Sequence, residues 1–168
     1  MAALFNDCHH TITMMTSTPN SIFSWNSTLS GEGHRAELNF NLMSEQGSIS
    51  LNGKYCSVNK HGIFRGKWTL SDQSRSLVSA KKLSAFMRTF TISSPTGTYT
   101  LEARSAMGRS MVLRGNRGQT TIAPDHIFTR RASLSGTLPD IETTCLAMWL
   151  TLLTWHRSRS SSNGGGGN

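Results

Sequence analysis

The chain has 168 residues, 36% apolar and only 15% charged, with 15 glycines and many serines and threonines. That is long enough for one domain with a real core, and the turn-rich composition favours an all-β protein over a helical bundle. The net charge of +8 is uneven: residues 1–60 hold three basic side chains against four acids, and residues 61–168 hold fourteen against five. A basic half favours anionic partners such as nucleic acid or an acidic lipid surface; the bland reading is a solvated surface kept soluble by like charge.

Residues 1–20 show no clear period and read as a loose leader. They lack the basic start and sustained apolar run of a signal peptide, so a reducing cytoplasmic setting is expected. The three cysteines, Cys8, Cys56 and Cys145, are odd in number and widely spaced, which suggests neither a disulfide framework nor a zinc site.

From there to about residue 132 the sequence reads as short strands separated by Gly, Pro, Asn and Ser. Ala36, Leu38, Phe40 and Leu42 alternate with Glu37, Asn39 and Asn41. Phe64, Trp68 and Leu70 alternate with Ile63, Arg65, Lys67 and Thr69, and Tyr99, Leu101 and Ala103 with Thr98, Thr100 and Glu102. Such alternation puts one sheet face on a core and the other in water. Eleven candidate strands result, near 22–29, 35–42, 47–51, 54–59, 63–70, 76–82, 86–92, 98–103, 109–114, 119–122 and 126–132. Their spacing predicts an antiparallel sandwich or barrel.

The period then changes. Asp140 is a candidate N-cap and Glu142 suits the positive end of a helix over 141–156, with His156, Arg157 and Arg159 at the other end. Residues 158–168 read as a flexible Ser/Gly tail. From Ile141 to Trp155 such a helix is about 22 Å long, short of a bilayer core of about 30 Å. No Lys or Arg lies in that stretch to form the polar face of an interfacial helix. Its threonines and Ala147 gather in a narrow stripe, and the remaining circumference is apolar. A helix apolar nearly all round must be enclosed, and a closed antiparallel barrel of about twelve strands is wide enough to enclose it.

The short strands, the basic segment "HIFTRRASL" (His126 to Leu134), the "LPD" turn and the final apolar helix together resemble the tubby C-terminal-like superfamily. Within it, "GKWTLSDQSRSLVSAKKLSAFMRTFTI" is similar to the central part of LURP-one-related and phospholipid-scramblase-like proteins. The resemblance covers about residues 35–157. It implies a tubby-like domain over 21–157, a twelve-stranded barrel around the helix, and a relation to proteins that bind phosphoinositides or act at membranes. The acidic calcium-binding segment of scramblases is reduced here to Asp140 and Glu142, and tubby's phosphoinositide-binding side chains have no assured counterparts.

Candidate anion-binding residues are Lys81, Lys82, Arg88, Arg130 and Arg131, which a curved sheet could bring together around a phosphate. Counting by two puts Arg88 with Phe86, Phe90 and Ile92 on the apolar face, so either a bulge or a misjudged register intervenes, or Arg88 reaches a barrel mouth and meets an anionic ligand or a carboxylate. Nucleic-acid binding ranks below lipid binding, because the aromatics that would stack on bases are in phase with the core. Cys8-His9-His10 lacks further ligands, and GxSxG, HExxH and GxxxxGK[ST] motifs are missing. The expectation is a non-catalytic module without metal or cofactor, cytoplasmic or peripheral at the membrane, that engages acidic headgroups or another anion. A protein-interaction scaffold is the alternative.

Overall fold

A computed structural model describes residues 13–62, 66–73, 75–84 and 87–162, with no account of the side chain of residue 162. Twelve strands form a closed antiparallel barrel: β1 (Thr13–Pro19), β2 (Ser27–Gly31), β3 (His34–Asn41), β4 (Gln46–Leu51), β5 (Lys54–His61), β6 (Lys67–Asp72), β7 (Arg75–Lys82), β8 (Thr89–Ser94), β9 (Gly97–Ala103), β10 (Met111–Gly115), β11 (Gly118–Pro124) and β12 (Ala132–Gly136). Each strand pairs with its neighbours in sequence, and β1 closes the ring on β12 with Met15 opposite Leu134. One helix, α1 (Ile141–Ser162), follows.

The alternation read from the sequence places the side chains as expected. Ala36 and Leu38, Trp68 and Leu70, and Tyr99 and Leu101 point inward and are buried. The outward positions carry residues such as Arg35, Glu37, Asn39, Thr69, Thr98 and Ser135. That polar exterior is the reverse of the apolar outer band of a membrane-spanning barrel.

The helix fills the barrel. From Thr143 to Leu153 every side chain is buried, on all faces, and Trp155 is only 2% exposed. Trp149 stacks on Phe40 with ring centroids 3.6 Å apart. Thr151 and Thr154 donate to the carbonyls of Ala147 and Leu150, both at 2.8 Å, so the threonine hydroxyls are satisfied within the helix. Asp140 caps it, accepting from the amide and the hydroxyl of Thr143. Thus the apolar stretch near the C-terminus is the centre of the protein, and no described helix is long and apolar enough to cross a membrane.

Several boundaries differ from the sequence reading. Residues 13–19, assigned to the leader, form β1; residues 1–12 lie outside the described part. Met15 faces the core there, but the next core-facing position is Ser17, which bonds Ser27 of β2 at 2.6 Å, so a polar residue hides the strand's pattern. The strand expected over 22–29 starts later, at Ser27. The segment expected as a strand over 126–132 is a loop, with β12 beginning at Ala132. The helix runs on to Ser162, into the segment expected as tail, and Ser158, Ser160 and Ser161 there donate to carbonyls four residues back. Residues 163–168 and the expected strand start at 63–65 fall outside the described residues.

Candidate functional site

The topology makes the two ends of the barrel unlike. At the end where α1 begins, β2–β3, β4–β5, β6–β7, β8–β9 and β10–β11 are joined by two-residue turns. At the other end, where α1 emerges, the strands are joined by six longer connections of four to seven residues (20–26, 42–45, 62–66, 83–88, 104–110 and 125–131). All five candidate anion-binding residues lie at this second end.

Charge follows the same division. Among the described residues, the loop end, with two flanking residues of each strand and the end of α1, carries eleven basic side chains against three carboxylates, Glu45, Glu102 and Asp125. At the turn end, counted alike, five basic side chains face four acids. The sequence shows only a basic half; folding concentrates it at one pole.

Within the pole the five candidates divide. Lys82 and Arg88 line one pocket of about 160 Å³ together with Phe90, Thr154, Arg157, Ser158 and Ser161. Burial, then repulsion from Arg157, lowers the pKa of Lys82 from its ordinary value, so this cation is held where charge is costly. Arg88 precedes β8, which starts at Thr89, so the count by two does not extend to it. Its guanidinium donates to the carbonyls of Ser105, Ala106 and Gly108 at 2.7–2.8 Å and ties loop 83–88 to loop 104–110. Arg88 thus lies outside the counted register, without a bulge, and reaches the barrel's loop end, where its partners are carbonyls and no carboxylate among the described residues.

Lys81 points outward on β7, directly opposite Lys67 on β6. Like charges facing each other across an antiparallel pair repel, and neither lysine has an ion-pair partner among the described residues. Arg130 and Arg131 lie elsewhere, in loop 125–131, so the structure brings them to the same end as the lysines and not to the same pocket. Arg131 pairs with Asp125 at 3.0 Å. Arg130 donates to the carbonyls of Ser24, at 2.6 Å, and Ile22, and its guanidinium sits 5.0 Å over the Trp25 ring.

Sequence reasoning missed the inner support of this pole. Glu45 accepts from Lys60 at 2.6 Å and takes a two-pronged contact from Arg157 at 2.6–2.7 Å, pinning the end of the helix to loop 42–45. Burial opposes the charge of Glu45, but the hydrogen bonds from Arg157 and Lys60 outweigh it and hold the carboxyl below its usual range. Arg109 sits 4.2 Å over the Trp155 ring and donates to the Ile127 carbonyl at 2.6 Å. Burial, then Arg159 and Arg130, lowers its pKa. The one signal available beforehand was the run of basic residues after Trp155.

Chemistry beyond binding finds little support. Among the described residues no group of three His, Cys, Asp or Glu side chains is placed to hold a metal. Cys56 and Cys145 are buried, and burial raises both thiol pKa values, so neither is a ready nucleophile. A second pocket of about 290 Å³ lies at the turn end, lined by Thr96, Tyr99, Arg117, Thr120 and Asp140 among others. The Asp140 carboxylate there is engaged by Thr96, Ser94 and the helix cap. No family model, curated protein or solved structure matches the chain.

Proposed function

We propose that this protein is a non-catalytic binding module, peripheral to a membrane, that engages anionic lipid headgroups through the loop end of its barrel. The observation that carries the reading is the charge polarity of the fold. Eleven basic side chains against three carboxylates crowd one end, including the opposed Lys67–Lys81 pair and the partly buried Lys82. An acidic surface relieves these repulsions, and each Lys or Arg near it contributes about 1 kcal/mol. The pocket beside Lys82, of about 160 Å³, is also lined by Arg88 and Arg157, so three cations border it.

The barrel around a central helix also supports membership of the tubby C-terminal-like superfamily, which we propose on the resemblance in residues 35–157. Flotation of the purified chain with vesicles tests the function. Binding to phosphatidylserine-containing vesicles over pure phosphatidylcholine ones, weakened by salt, is expected. Equal indifference to both from a folded protein would favour a protein-interaction scaffold.

A further inference from the structure

The loop end is also where the protein leaves its large apolar side chains in water. Among the described residues ten large hydrophobic side chains are exposed; eight of these lie in the loops of this end, and Met14 and Tyr55 lie elsewhere. Phe23 is 86% exposed, Phe128 80% and Met107 97%, with Ile22, Ile127 and Met43 similarly bare. Singly such residues need no explanation, but their gathering on the tips of five loops at one pole does.

Four of them form one unit. β1 and β12 are neighbours, so loops 20–26 and 125–131 lie side by side. Arg130 ties them together by donating to the Ile22 and Ser24 carbonyls, and Arg109 holds the second loop through the Ile127 carbonyl. Loop 20–26 is further closed on itself by the Asn20 amide donating to the Asn26 carbonyl at 2.9 Å. The carbonyls of Ile22, Ser24 and Ile127 are thus satisfied within the protein. Ile22, Phe23, Ile127 and Phe128 are presented outward on a braced support.

We infer that these paired loops are a membrane-insertion element, which dips its four apolar side chains below the headgroups while the surrounding cations hold acidic lipids. The inference rests on the lipid-binding reading and goes beyond it by fixing how the protein sits: end-on, loop pole down, with the axis of α1 roughly along the membrane normal. Charge complementarity selects the occupant. Apolar tips ringed by cations match an interface whose upper layer is anionic and whose lower layer is hydrocarbon. Several separate protrusions also suit a fluid surface better than a single rigid groove.

The test uses the full chain in flotation with phosphatidylcholine vesicles with and without phosphatidylserine, at low salt and at about 0.5 M salt, where surface charge is largely screened. The variants are F23S/F128S and, at the opposite pole, M14S/Y55S, with circular dichroism melts to show that each is folded. Wild type is expected to keep measurable binding to acidic vesicles at high salt. F23S/F128S should lose that salt-resistant part, by about tenfold for each ring removed, while still binding at low salt. M14S/Y55S should behave as wild type. If F23S/F128S matches wild type at high salt, or wild type itself is released completely there, insertion is overturned and the electrostatic reading stands. A folded wild type that ignores acidic vesicles at low salt overturns both.

Discussion

Trp149 is the side chain on which the enclosed helix depends most visibly. It is fully buried and stacks on Phe40 with an interplanar angle of 15°. A tryptophan buries about 150–250 Å², worth about 5 kcal/mol at about 25 cal/mol per Å². Replacement by alanine returns part of that through the residual methyl group and leaves a cavity that a closed barrel cannot collapse, so a loss of about 4 kcal/mol is expected. Against a total stability of about 5–15 kcal/mol this is severe, equivalent to a fall in Tm of about 8–16 °C. Trp149→Phe separates packing from chemistry. No acceptor among the described residues reaches the indole N–H, and phenylalanine removes that group, an offset of about 1–3 kcal/mol, while keeping the stack. It should cost less than half as much as alanine. Urea titration followed by far-ultraviolet circular dichroism reads both. A Trp149→Ala loss below about 1 kcal/mol would refute the enclosure, because an unconfined helix face would simply rehydrate.

Two further predictions bear on the same architecture. Gly47 lies where an added Cβ would come 2.0 Å from the Asn39 carbonyl oxygen and 2.6 Å from the Trp149 ring. Backbone on one side and a wedged indole on the other leave nothing to yield, so Gly47→Ala should destabilise by at least about 2 kcal/mol in a thermal melt. Glu45 gives a pH dependence. Its folded pKa is below the ordinary 4.5, so its contribution is present above 4.5 and is lost as the pH falls through the folded value. Glu45→Gln should therefore lower Tm at pH 7 and flatten the acid side of the Tm-versus-pH curve below 4.5. An unchanged acid limb would mean that other carboxylates set it.

The barrel was largely legible because most of its strands, β3, β6 and β9 among them, alternate with a period of two and its helix has almost no polar face. What escaped did so for local physical reasons. β1 hides because Ser17 is buried at a core-facing position, satisfied by Ser27 across the sheet. Segment 126–131 looks like a strand because Ile127 and Phe128 have strand composition, yet both are exposed on a loop tip. The helix outlasts its apolar core, and three serines in the extension return their hydroxyls to its own carbonyls. Composition marked a basic half and Lys81, Lys82, Arg88, Arg130 and Arg131 within it. Only the alternation of short turns with long loops, a property of the closed ring, assembles them at one pole. The sequence could not reveal that Arg88 and Arg130 are braces between loops, since their acceptors are carbonyls nearly 20 and over 100 residues away.

On the proposed function, the arrangement of charge, not its total, directs the protein to an acidic surface. Two double variants of equal net charge separate these: K67Q/K81Q at the loop end and R75Q/R117Q at the turn end. Their partition onto phosphatidylserine-containing vesicles, measured side by side at low salt, is the most direct test. At about 1 kcal/mol per cation, K67Q/K81Q is predicted to weaken binding about 30-fold, and R75Q/R117Q to stay within about twofold of wild type. Equal losses in the two variants would contradict the account.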